Sequence, residues 1–158
     1  MDDTKQLDKQ LEYVGFWLRV WASIIDTVLV LAITAPLLLA IYSRERLAAG
    51  ITFSSSASFL ISYVLPAIAV LAFWSFRQAT PGKMAISARI VDACSGGPTS
   101  MSQNLIRYIG YFPSILVCCL GLIWVGLDQR KQGWHDKLAG TVVVRPRRGN
   151  GAPVRFDH

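Results

Sequence analysis

Charge is what this sequence is short of. Only 16% of its 158 residues are charged, while 53% are hydrophobic. A soluble domain of this length, with one core inside a polar shell, needs more of the first and less of the second. Histidine is down to two residues and cysteine to three. Cys94, Cys118 and Cys119 have neither metal-ligand nor secreted-disulfide spacing, and adjacent cysteines rarely bridge each other. His135 stands beside Asp136 without a second histidine or a carboxylate cluster, so no metal and no cofactor are expected. No nucleophile–base pair is apparent, and an enzyme is not expected. Gly82-Lys83 lacks the upstream glycine and the following Ser/Thr of a phosphate-binding loop, and reads as a turn with an interfacial lysine. The opening MDDTKQLDKQLE lacks the basic and short apolar regions of a cleaved signal peptide, so the first apolar stretch is expected to stay as an anchor.

What is present is long apolar runs. Ser56 to Phe76 carries no charge and rises roughly 31 Å as a helix, close to hydrocarbon thickness. Aromatic rings and then Arg77 follow at its end, where headgroups would lie. A first spanning helix is expected at about 16–42, with Arg19 and Asp26 inside its apolar pattern. The charge-free part begins at Thr27, which puts Asp26 roughly 6 Å inside a 30 Å slab, while Arg19 snorkels to the headgroups. A third stretch, 104–127, holds Arg107 near its start and Pro113 near its middle.

The predicted fold is therefore an all-α integral membrane protein with two full transmembrane helices and a third, Pro-broken helical hairpin, re-entrant or spanning. Residues 1–13 form a polar arm, 14–145 the membrane domain and 146–158 a basic, disordered tail. Leu7, Leu11 and Val14 suggest an amphipathic turn lying on the membrane surface.

The cations bear on topology. Outside the helices there are fourteen; a single third crossing divides them five to nine, and a hairpin broken at Pro113 divides them twelve to two. The sharper division fits a bacterial inner membrane with both termini cytoplasmic. A small two-stranded β element agrees, because the alternating run Met84 to Asp92 needs a partner and Thr141 to Arg145 is a good candidate, available only on the same side.

Three ordered blocks resemble the RDD family of membrane proteins. The first is Gly15 to Asp26, GFWLRVWASIID. The second is Thr80-Pro81-Gly82-Lys83 with Ala88-Arg89-Ile90-Val91-Asp92 and Gly96-Gly97. The third is Arg107 followed by Gln132 to Val144, QGWHDKLAGTVVV. The resemblance covers about residues 14 to 145, and a link of some members to cation/proton antiport is what it implies about activity.

Ionisable groups in hydrocarbon are costly unless paired or hydrated. Arg19 and Asp26 share a helix face but lie about 10 Å apart along the axis, and side chains lean toward the helix N-terminus. Each should therefore find its partner elsewhere: Arg107 for Asp26, and Asp136 for Arg19. His135 and Lys83 are expected to support this network. Two functions fit the pattern, a small oligomeric exchanger of a monovalent cation for a proton at Asp26, or a non-transporting scaffold or accessory subunit whose charges are structural. The expected partners are a bilayer with anionic headgroups and further copies of the chain, through Ser54, Ser58 and Ser62. The basic tail, without aromatic interleaving, fits anionic lipid and not nucleic acid.

Overall fold

The computed structural model describes residues 10–41, 59–116, 120–147 and 154–156. Strand β1 (Leu11–Tyr13) leads into helix α1 (Phe16–Ile41). The second apolar run is helical over Leu60–Arg77, a π-turn (Leu60–Val64) followed by α2 (Leu65–Arg77). Pro66, which can donate no hydrogen bond, sits at the start of α2, where the wider turn accommodates the missing N–H. Among the described residues, Phe16–Ala40 and Leu60–Arg77 are long and apolar enough to cross a membrane. The expected residues 56–58 of the second helix lie outside the described ones, as do Ser54, Ser58 and Leu7. Large apolar side chains such as Val28, Ile33, Ile68 and Phe76 are exposed along both helices, which is uneconomical in water and ordinary against lipid.

The chain then forms the short helix α3 (Pro81–Ala85), strand β2 (Arg89–Asp92), helix α4 (Met101–Leu116), helix α5 (Leu120–Leu127), the short helix α6 (Trp134–Leu138) and strand β3 (Thr141–Pro146). The alternating run expected to be a strand from Met84 is strand only from Arg89. Proline at the first turn favours a helix beginning at Pro81, and Ser87 at φ 57° turns the chain before the strand starts.

The expected two-stranded element is a three-stranded antiparallel sheet in the order β1-β3-β2. Ile90 faces Val143 and Val91 faces Val142, while Glu12 faces Arg145 on the other edge of β3. Arg145 donates to Glu12 across that pair at 2.6 Å. Residues 11–13 are thus a strand instead of part of a free arm, because β3 has a second edge of backbone groups to satisfy. Both faces of the sheet are covered. Val143 and Ile90 pack with Val14 and Trp74 toward the helices, and Val142, Val144 and Leu11 pack with Val154 on the outer face. The tail expected to be disordered returns here: Val154 is buried, its N–H donates to Leu11 O, and Arg155 N–H donates to the Tyr13 hydroxyl.

Pro113 is not the point at which the third stretch breaks. It lies inside α4, which runs on to Leu116, and α5 begins at Leu120. A helix interior tolerates proline where neighbouring groups take over the freed carbonyls. The two arms fold back on each other, because a Cβ on Gly121 would lie 2.8 Å from Ser114 Cα. In a continuous helix these positions would be roughly 10 Å apart.

That contact makes glycine a requirement of the hairpin. Gly121→Ala is expected to cost about 1–3 kcal/mol through overpacking against backbone. Gly126→Ala, whose nearest neighbour would be Phe16 Cβ at 4.0 Å, should unfold at the unmodified midpoint when both are melted in detergent.

Candidate functional site

Asp136, fully buried on α6, is held by two segments distant in sequence and by the start of its own helix. Arg19 Nη1 of α1 donates to its Oδ2 in a short ion pair, and Gly133 N–H donates to the same oxygen at 3.1 Å, capping α6. Arg107 Nη1 of α4 lies 2.6 Å from Oδ1. This last contact is an ion pair without aligned hydrogen-bond geometry, since Oδ1 has no hydrogen-bond partner among the described residues. Burial alone would push the carboxyl up, and the guanidinium groups, Arg107 foremost, hold it well below the usual carboxylate range.

Arg19 spends its remaining nitrogens on backbone: Nε donates to Val14 O at 3.1 Å and Nη2 to Lys131 O at 2.6 Å. Arg107 donates through Nη1 to Thr141 Oγ1 at 2.8 Å, and its guanidinium carbon lies 5.2 Å from the Trp74 ring centroid. The network therefore joins the start of α1, the first hairpin arm, α6 and the start of β3.

Asp26 stands apart from it. Its carboxylate accepts from Thr80 Oγ1 at 2.5 Å and from Gly82 N–H at 2.7 Å. Gly82 lies so close to α1 that a Cβ would fall 2.0 Å from Ala22 O. Thus Thr80 and the glycine-bearing turn after it dock against Asp26 and leave it half-exposed. The expected Asp26–Arg107 pair is not formed. Arg107 is drawn to Asp136 and Thr141, and Asp26 finds its donors in a loop that no helical spacing could bring to it. The structure does bring Arg19 and Asp136 together, and it adds Arg107 to the same carboxylate.

Lys83 and His135 line a cavity of about 410 Å³ between α1 and the hairpin. Arg19, Ser23 and Tyr111 also line it, together with apolar residues that include Val20, Ile24 and Ile123. The Lys83 side chain is 9% exposed and makes no hydrogen bond or ion pair among the described residues; its ammonium lies 5.7 Å from the Trp74 ring centroid. Burial pulls that ammonium below the ordinary lysine range, with Arg107 adding to the effect and Tyr111 and Asp26 opposing it. His135 stacks on Tyr111 at 3.9 Å between centroids. Neither of its ring nitrogens has a hydrogen-bond partner among the described residues, although Nε2 lies 3.3 Å from Asp136 Oδ1. Burial drives its pKa down to about 3, against the pull of Asp136. Among the described residues, no group of three or more His, Cys, Asp or Glu is placed to hold a metal.

Sequence reasoning missed Thr141, Trp74 and Tyr111 as parts of this region. Thr141 had a signal in its place at the start of the β-like run after Asp136; the two aromatic residues had none beyond their apolar context.

Two long apolar helices, a folded-back hairpin and a small sheet pinned together by buried ion pairs define a membrane protein. The model of the RDD family matches residues 13–140, and the chain belongs to that family. It is similar to the uncharacterized membrane protein YteJ of Bacillus subtilis, 30% identical over 138 residues, covering 84% of this chain and 80% of that protein. An uncharacterized protein of Rickettsia prowazekii is 31% identical over 77 residues, or 48% of this chain and 41% of that protein. A proline-rich antigen of Mycobacterium leprae is 24% identical over 95 residues, or 49% of this chain and 38% of that protein. The chain thus spans less than half the length of the last two. No solved structure matches.

The network sets two expectations. Asp136→Asn removes the charge that two guanidinium groups share, and should cost about 3–5 kcal/mol, seen as loss of monodisperse protein on size exclusion in detergent. His135 gives a pH dependence of known sign. Because its folded-state pKa is depressed, its contribution is complete above the unfolded value near 6.5 and is lost as pH falls from there toward 3. The unfolding midpoint should therefore drop between pH 7 and pH 5, by up to about 1.4 kcal/mol per pH unit. His135→Phe, which keeps the ring on Tyr111, should flatten that slope.

Proposed function

We propose that this chain is a non-enzymatic membrane scaffold of the bacterial inner membrane, with the sheet and both termini on the cytoplasmic side, and with its intramembrane charges serving as structural locks. The observation that carries this reading is the state of the two carboxylates. A proton- or cation-coupling carboxylate must exchange partners with solvent during its cycle. Asp26 has both oxygens bonded to Thr80 and Gly82, and Asp136 is buried between two arginines. Releasing either one would undo the docking of a loop or of the hairpin.

Orientation rests on charge. With α4 folded back on α5, this reading puts the nine described cations other than Arg19 and Arg107 on the side of the sheet. Such a bias favours the cytoplasm for the sheet. The exposed apolar faces of α1 and α2 would be covered by lipid or by further copies of the chain.

The rival reading, a cation/proton exchanger, makes opposite demands on Asp26. Purified protein in vesicles with an internal pH dye should show no proton flux on pulses of Na⁺, K⁺ or Li⁺. A cation-driven flux that Asp26→Asn abolishes, in a variant that still folds, would overturn the scaffold. Asp26→Ala removes both acceptors and is expected to lose about 2–3 kcal/mol, with faster proteolysis at Arg77 and Lys83.

A further inference from the structure

The cavity between α1 and the hairpin has a mixed lining. Arg19 and Ser23 of α1 line it with Lys83 and His135, and so do the apolar Val20, Ile24, Leu122 and Ile123. Ile24 is 46% exposed and Ile123 47% exposed, and Ser23 is exposed as well, so the cavity opens laterally, on the outer faces of α1 and the hairpin that meet hydrocarbon in a membrane protein.

The charges around it do not balance. Arg19, Lys83 and Arg107 bring three positive charges and Asp26 and Asp136 bring two negative ones, with His135 held neutral. The cation left over is Lys83, nine-tenths buried, lining the cavity and without a hydrogen bond or ion pair among the described residues. A buried cation is retained at lasting cost unless an anion meets it. His135, also lining the cavity, has unpartnered ring nitrogens beside it. The volume, about 410 Å³, is that of a ligand pocket.

We infer that this cavity is a lipid site, taking the phosphate of an anionic phospholipid against the Lys83 ammonium and laying one acyl chain between Ile24 and Ile123. The side opening selects a molecule arriving from the bilayer plane. The uncancelled cation selects a net negative headgroup over a zwitterionic one. Tyr111, stacked on His135, lines the cavity as well. The site stands on the cavity and on Lys83, and holds whether or not the carboxylates are only structural.

The test is lipid binding by the full chain, purified in neutral detergent and titrated with phosphatidylglycerol and, separately, phosphatidylcholine. Retained lipid is read by native mass spectrometry and stability by thermal unfolding. Phosphatidylglycerol should be retained and raise the midpoint, and phosphatidylcholine should do neither. Lys83→Met, which exchanges a buried cation for an apolar chain of similar length, should weaken phosphatidylglycerol binding by roughly tenfold or more. Ser23→Trp, which fills the cavity and leaves the lysine in place, should do the same. Arg89→Met, at an exposed cation of β2, should leave binding unchanged. Equal retention of the two lipids overturns the proposal on the unmodified protein alone, and so does phosphatidylglycerol binding that survives both cavity variants. A midpoint raised as far by inorganic phosphate or by oleate assigns the cavity to a free anion or a fatty acid, and overturns it as well.

Discussion

The carboxylate of Asp136 is the point on which the architecture turns. Arg19 and Arg107 both reach it, one at the start of the first spanning helix and the other on the hairpin. The second arm of that hairpin, with 8 residues, is far too short to span a bilayer and the first, with 16, falls short of the roughly 20 that do, and a segment that re-enters persists only where protein covers it and supplies partners for its polar groups. The hydrophobic effect cannot hold it there, since lipid tails are as apolar as its side chains. A buried ion network can, because breaking it strands charges in a medium that does not solvate them. The same atoms reach on to Thr141 through Arg107, so the sheet is pinned where the membrane part is pinned.

Asp26 performs a comparable task by different chemistry. It is half-exposed instead of enclosed, and it is bonded to a hydroxyl and an amide instead of to cations. A carboxylate satisfied by two neutral donors needs no counter-ion. Gly82 permits this because the turn must come within contact of the Ala22 carbonyl, a distance at which any side chain would collide. The loop between α2 and β2 is thereby fixed against α1 before the sheet begins, which lets β2 meet β3 in register.

Much of this was legible in the sequence, for reasons that also mark where legibility ended. The spans follow from length and absence of charge, which are properties of one segment at a time. The Arg19–Asp136 contact followed from depth: two opposite charges expected near one interface have few other partners. Arg107 was assigned to Asp26 as an opposite charge in another apolar stretch, and failed because charge pairs residues without seeing loops. Thr80 and Gly82 carry no charge, so an argument from charge complementarity passes over them. The pairing of β2 with β3 was legible because an isolated strand must find a partner. Strand β1 was not, being three residues with no alternation to read, and its pairing is decided by an edge that exists only once β3 is in place. The return of Val154 to the sheet is of the same kind, a single apolar residue after a basic segment, with nothing local to distinguish it from a solvated tail.

Lys83 shows how a structural network becomes a chemical one. The turn that brings Gly82 onto Asp26 carries the next residue with it, so the position of the lysine is set by the docking of the glycine. The lysine could have paired with a carboxylate, as Lys137 on α6 does with Asp128. It turns instead into the space that the hairpin leaves beside α1, against Trp74 and away from any carboxylate within bonding distance. Satisfying it from within would mean taking Asp26 from Gly82 or Asp136 from an arginine, and each exchange would loosen a contact that holds the fold. Short of losing its own proton, which burial favours, the lysine is neutralised by an anion from outside the chain. The bilayer supplies phosphates at the depth where spanning helices place their snorkelling cations.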